Sequence, residues 1–150
     1  MQGDINSVVD FINRVLEQSD LDLRASVEPL GEAVRVQVRG GDRALLLSHN
    51  AELLEALEHL GNRMLAHATG EEHHLVFDSG SYRAQREKEL QLMAEKAAER
   101  VRMTRQPFTF DPMSPGDRRI IHLALAADTS VRSESQGSGE NRKVTIHPAK

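Results

Sequence analysis

At 150 residues the chain is long enough for one ordinary domain or two very small ones. It has no cysteine, which excludes disulfides and thiolate zinc sites, and no apolar run approaches the roughly 20 residues of a membrane-spanning helix. The formal net charge of −4 looks unfavourable for a polyanion ligand, but it is unevenly spread.

Residues 5–16 carry Ile5, Val8, Val9, Phe11, Ile12, Val15 and Leu16 at helical spacing, with Asp4 placed to cap. The start MQGDINSVVDF has no basic segment ahead of an apolar core, so it does not read as a secretory signal and a soluble, cytoplasmic protein is expected. Leu23, Ala25 and Val27 alternate with polar neighbours, as do Val34, Val36 and Val38. They predict a hairpin closed through Pro29, Leu30, Gly31 and Glu32, a loop of about four residues. Gly40 and Gly41 end the second strand, and Leu45–Leu47 is a short apolar turn or piece of helix. Leu53, Leu54, Leu57, Leu60, Met64 and Leu65 predict a long helix, and Leu75–Phe77 a third strand.

The run from Asp78 to Ser81 reads as a turn and a boundary, with Ser81 as a candidate cap. An amphipathic helix is predicted from Tyr82 to Arg105. Its apolar stripe is Leu90, Met93, Ala94, Ala97 and Val101, and its outer face carries Arg83, Arg86, Lys88, Lys96, Arg100 and Arg102. Phe108 and Phe110 flank Thr109 in a short strand with both rings on one face. In the following stretch, DPMSPGDRRIIHLAL, Ser114 or Asp117 can cap a helix and Pro115 suits its first turn. Ile120, Ile121, Leu123, Ala124 and Leu125 predict that much of this helix is buried. Arg118 and His122 are four residues apart and so share one helix face, a spacing that suits a phosphate. Two last strands, 131–135 and 142–146, pair across Gln136-Gly137-Ser138-Gly139.

The charge divides along the same boundary. Residues 1–78 hold 6 Lys/Arg against 14 Asp/Glu, a net of −8, whereas 79–150 hold 13 against 9, a net of +4. Phosphate affinity follows local positive charge, so the C-terminal half is suited to a polyanion and the N-terminal half repels one.

Arg-x-x-x-His within PMSPGDRRIIHLAL resembles the R-three-H domain, a small module that binds single-stranded nucleic acid. The runs SYRAQREKELQLMAEKAAERV, FDPMSPGDRRIIHLAL and SVRSESQGSGENRKVTIHP resemble the C-terminal part of the bacterial Jag (SpoIIIJ-associated) proteins, which join a KH domain to an R-three-H domain. The resemblance implies an α+β protein without the extra N-terminal domain of many members. Residues 1–79 would form a KH-like (type II) three-stranded sheet with helices, and 80–150 a small α/β R-three-H domain.

KH domains clamp four nucleotides with a Gly-x-x-Gly loop. The helix leucines align that loop with Ser48, His49, Asn50 and Ala51, where both glycines and the usual basic pair are missing. Glu52, Glu55 and Glu58 add negative charge where a phosphate would sit, so this half is expected to have lost its grip and to serve as a scaffold or protein-docking surface.

The resemblance implies RNA (or single-stranded DNA) binding at Arg118 and His122. Arg132, Arg142 and Lys143 would extend the basic surface, with Ser135 and Gly137 as weaker phosphate contacts. Arg119, a further basic candidate, faces another direction on the helix, where it is equally a solvated charge or a salt-bridge partner. A small KH-domain protein is the implied partner, and an oligomer is compatible with the chain. Tyr82 is the ring expected to be exposed for stacking, while Phe108 and Phe110 go under the helix. A protein adaptor that binds no nucleic acid is the alternative.

No metal site is expected. His73 and His74, adjacent at a predicted strand start beside Glu71, Glu72 and His67, point to opposite faces. Nothing resembles a nucleophile elbow or a phosphate-binding glycine fingerprint, so neither catalysis nor a cofactor is expected.

Overall fold

A computed structural model describes residues 1–150 and divides the chain into two compact units, Met1–Tyr82 and Arg83–Lys150. Both are α+β.

The first unit runs α1 (Gln2–Gln18), β1 (Arg24–Leu30), β2 (Ala33–Arg39), α2 (Arg43–Thr69) and β3 (Leu75–Asp78). Its sheet has the order β1-β2-β3, with β1 antiparallel and β3 parallel to β2. Helix α1 starts earlier than the apolar spacing indicates. Met1 is the N-cap residue, and Asp4 lies in the first turn, where its carboxylate pairs with the N-terminal amine at 3.2 Å. The hairpin is also tighter than expected. Leu30 pairs with Ala33, leaving only Gly31 and Glu32 in the turn, and Gly31 takes the positive φ of +58° that such a turn demands.

Ile12, Leu16, Val36, Val38, Leu54, Leu65, Leu75 and Phe77 are fully or almost fully buried in this unit's core. Each is worth about 1.5–3 kcal/mol relative to exposure. Gly61 is where α2 meets the sheet most closely: a Cβ there would lie 2.9 Å from the Phe77 ring.

A three-stranded sheet has two edges and one interior strand, and here each edge is bonded by a helix asparagine. Asn13 on α1 donates to Ala25 O at 2.9 Å and accepts from Ala25 N at 2.7 Å. Asn62 on α2 does the same for Leu75, at 2.9 and 2.7 Å. The amide side chain copies the pairing of a neighbouring strand and blocks the edge. Glu58 accepts from Phe77 N at 2.9 Å, so its carboxylate is turned to β3 and does not crowd the loop at residues 48–51.

Helix α2 is broken at that loop. Ser48 is extended (φ −65°, ψ 156°), and His49, Asn50 and Ala51 follow with φ of 53°, 57° and 60°. Three consecutive non-glycine residues in the left-handed region cost roughly 1–2 kcal/mol each. Ala51, fully buried, anchors the far side of the break in the core.

The second unit runs α3 (Tyr82–Thr104), β4 (Phe108–Thr109), α4 (Pro115–Leu125), β5 (Val131–Gln136), a single 3-10 turn (Gly139–Asn141) and β6 (Lys143–Pro148). Its sheet order is β4-β6-β5, all antiparallel. Leu90, Ala94, Ala97, Ala98 and Val101 of α3 are buried, whereas Met93, expected in that stripe, is 41% exposed. Arg86, expected on the outer face, instead pairs with Asp117. Phe108 and Phe110 pack edge to face, with centroids 5.1 Å apart, and Arg100 lies 5.5 Å over the Phe108 ring. Tyr82, the last residue of the first unit, is partly buried against that unit's own core, and Phe11 is the more exposed ring.

Two outcomes follow for the first unit. Asn62→Ala leaves both backbone groups of Leu75 without their partner and should lower stability by about 2 kcal/mol in denaturant unfolding. His49→Gly relieves a left-handed φ and should raise stability by about 1 kcal/mol in the same measurement.

Candidate nucleic-acid interface

The site is assembled at the start of α4. Of the two candidate caps, Ser114 is the one used: its Oγ accepts from Asp117 N at 3.2 Å, and Pro115 follows in the first turn. Asp117, 8% exposed, turns toward α3, where its Oδ2 accepts from Arg86 Nε and Nη2, both at 3.2 Å. A buried carboxylate without that guanidinium would be costly.

Helix α4 is less buried than its apolar run indicates. Only Asp117, Ile121 and Leu125 are buried, and Leu123 is 63% exposed. An 11-residue helix lying on one small sheet can hide a single stripe, and residues at i and i+4 occupy it.

Arg118 is half-buried. Its Nη1 donates to Met113 O at 2.6 Å, and Met113 N in turn donates to Arg142 O at 3.2 Å. Arg142, just ahead of β6, donates from Nη1 to Gly137 O at 2.8 Å. The backbone of Met113 thus ties Arg118 of the helix to Arg142 of the hairpin loop. Gly137 has φ +90°, and a Cβ there would meet Asn141 O at 3.0 Å.

One turn after Arg118, the His122 ring is held from both sides. Nδ1 is 2.6 Å from Ser133 Oγ and Nε2 is 2.7 Å from Ser135 Oγ. Burial, and then the positive charge of Arg118, push the His122 pKa below its usual value. The folded surroundings therefore favour the neutral ring.

Strand alternation sorts the remaining predicted residues. Val131, Ser133 and Ser135 of β5 share a face with Val144 and Ile146 of β6, the face that packs on α4. Arg132 and Glu134, paired with His147 and Thr145, lie on the opposite face, as does Lys143 opposite Gln136. Arg132 Nη1 is 3.5 Å from Glu134 Oε2, which is also 3.4 Å from His147 Nε2. The structure thus brings Arg118, His122 and Arg142 to the α4 side of the sheet and leaves Arg132 and Lys143 behind it. Arg119 is exposed on the helix and makes no ion pair. Ser133 escaped sequence reasoning altogether. Its only signal was the i, i+2 spacing with Ser135, which places both on one face of a strand without saying which helix covers it.

His73 and His74 precede β3 rather than opening it, and no group of three or more acidic or histidine side chains is arranged to hold a metal ion. No helix is long and apolar enough to cross a membrane.

Residues 88–148 match the R-three-H domain family. That span covers β4 to β6, α4 and most of α3. The second unit is an R-three-H domain. Relatives extend the likeness through the first unit as well. An RNA-binding protein KhpB of Clostridium symbiosum is 27% identical over 94% of this chain and 64% of its own length. The Bacillus subtilis (strain 168) protein of the same name is 32% identical over 81% of the chain and 59% of its own. A Streptococcus pneumoniae namesake is 24% identical over 93% and 42%. The likeness to the Jag family that the C-terminal motifs carry thus extends to relatives over most of the chain, which spans about 60% of the length of the first two.

Removing Arg118 takes away the smaller of the two causes that lower the His122 pKa. Arg118→Ala should move the His122 titration, followed by NMR of the ring, part of the way back toward 6.5. Because the folded protein disfavours the charged ring and the unfolded chain does not, the contribution of His122 to stability is complete above 6.5 and is lost as pH falls below it.

Proposed function

We propose that this protein is a non-catalytic RNA-binding protein that grips the backbone of single-stranded RNA on the α4 side of its R-three-H domain. The observation that carries the reading is the tie through Met113, whose O accepts from the Arg118 guanidinium and whose N donates to the Arg142 carbonyl, joining the helix face of Arg118 and His122 to the loop that carries Arg142. Guanidinium groups are matched in shape and charge to phosphate oxygens. The name RNA-binding protein KhpB, borne by relatives that align with most of this chain, supports RNA over a protein-only adaptor role. Arg119 adds charge along the exposed face of α4, while Arg132 and Lys143 would meet nucleic acid only if the strand wrapped round the sheet edge.

We read residues 1–79 as a KH-like domain of type II and 80–150 as the R-three-H domain. Support comes from the order helix, strand, strand, helix, helix, strand, with the break in α2 separating two helices, and from the mixed sheet. The loop Ser48-His49-Asn50-Ala51 keeps a turn where the family's Gly-x-x-Gly stands, but carries side chains where backbone would approach phosphate. This half then acts as a scaffold or docks a protein, a small KH-domain protein being the partner the family resemblance implies. A cytoplasmic setting fits RNA as the ligand.

Titrating a short single-stranded RNA by fluorescence anisotropy tests the reading. Wild-type binding should weaken steeply with added salt. Arg118→Ala should cost roughly tenfold or more in affinity with the fold intact, and Arg132→Ala/Lys143→Ala much less. Absence of binding by the wild type at low salt would favour the adaptor.

A further inference from the structure

His122 has no ring nitrogen to offer a ligand, because Ser133 Oγ and Ser135 Oγ occupy both. A neutral imidazole donates at one nitrogen and accepts at the other. One serine must therefore donate into the ring. The other accepts from it and keeps its own hydroxyl proton for an outside acceptor. These serines are half-buried on a face otherwise lined by Val131, Val144 and Ile146, so the free hydroxyl proton stays within reach of a ligand.

We propose that Ser133 and Ser135 are phosphate-contacting residues of the RNA site, and that His122 is a positioning residue that sets the direction of their hydroxyls. This rests on the reading of the α4 side as the RNA face. Arg118 precedes His122 by one helical turn, and Ser135 precedes by one strand step Gly137, whose carbonyl holds Arg142. The serine row thus runs along β5 toward the carbonyl that holds Arg142, and an anion drawn to that side would need donors from the strand.

The other charged groups near the ring are directed elsewhere. Arg132 and Glu134 of β5 and Lys143 and His147 of β6 lie behind the sheet, and Asp117 is taken by Arg86. Arg118 and Arg142 are the cations left on the ring's side. For both hydroxyls to donate to an anion at once, both ring nitrogens must donate to the serines, and the imidazole must take up a proton. RNA binding should therefore raise the His122 pKa.

The test is a binding cycle on the full chain with a short oligouridylate as probe. Ser133→Ala/Ser135→Ala should weaken binding roughly tenfold, and Ser133→Thr/Ser135→Thr, which keeps the hydroxyls, should restore most of it. His122→Ala should weaken binding in the wild-type background and cost nothing further in the double-alanine background, because it acts only through the serines. Nitrogen NMR of His122 should show the ring gaining protonation as oligouridylate is added to the wild type, and no such change in the double-alanine protein.

Wild-type affinity in the double-alanine variant, with Arg118→Ala still impaired, would overturn the serine assignment alone. An equal loss from His122→Ala in both backgrounds would instead make the ring a direct contact and overturn its positioning role. If Arg118→Ala also bound normally, the RNA face itself would be misplaced and the inference would fall with it.

Discussion

Hydrogen bonds from a helix side chain to a strand hold each unit's helices on its sheet. A three-stranded sheet has one interior strand and two edges, so main-chain pairing alone leaves much of it unsatisfied. In the first unit Asn13 and Asn62 bond the outer strands through both backbone groups of one residue each. They set where α1 and α2 lie along the strands more sharply than apolar contact does, since dispersion forces tolerate sliding and paired donors and acceptors do not. Gly61 then lets α2 settle against Phe77.

The R-three-H domain uses the same device for a different end. His122 bonds to serine side chains of β5 rather than to its backbone. Ile121 and Leu125 supply the apolar seat of α4, and Arg86 neutralises Asp117 at the helix start. With the helix held at both ends, Arg118 and Arg142 are brought together through the backbone of Met113. Charge is thereby gathered on one face of a small sheet, and the opposite face keeps its own cations partly balanced by Glu134. The excess of 13 basic over 9 acidic residues in the C-terminal half does not, by itself, describe a binding surface.

The loop at residues 48–51 records a different compromise. The backbone retains left-handed turns at His49, Asn50 and Ala51 that glycine would adopt without strain. Burial of Ala51 and of Leu54 after it offsets part of that strain. Ala51 and Leu54 sit in the core at and just after the break, so packing fixes the turn whether or not the loop binds anything.

Much of the architecture was legible in the chain. The apolar period of α1, the alternation in β1 and β2, the leucines of α2 and the Ser-Pro-Gly start of α4 each specify an element through local spacing alone, and the Arg-x-x-x-His context identified the R-three-H domain. Local spacing also misled where an element's surroundings decide its exposure. Met93 and Leu123 fit an apolar pattern yet face solvent, and Arg86 fits an outer face yet points inward to Asp117. The site shows the same division. Sequence periodicity put Arg118 and His122 on one helix face, because that relation is set by the helical turn of about 3.6 residues. Packing α4 on β5 paired His122 with Ser133 and Ser135, drew in Arg142 and left Arg132 and Lys143 behind the sheet. Those relations join residues 11 or more positions apart, across which no periodicity carries, so only the folded arrangement of helix on sheet could decide them.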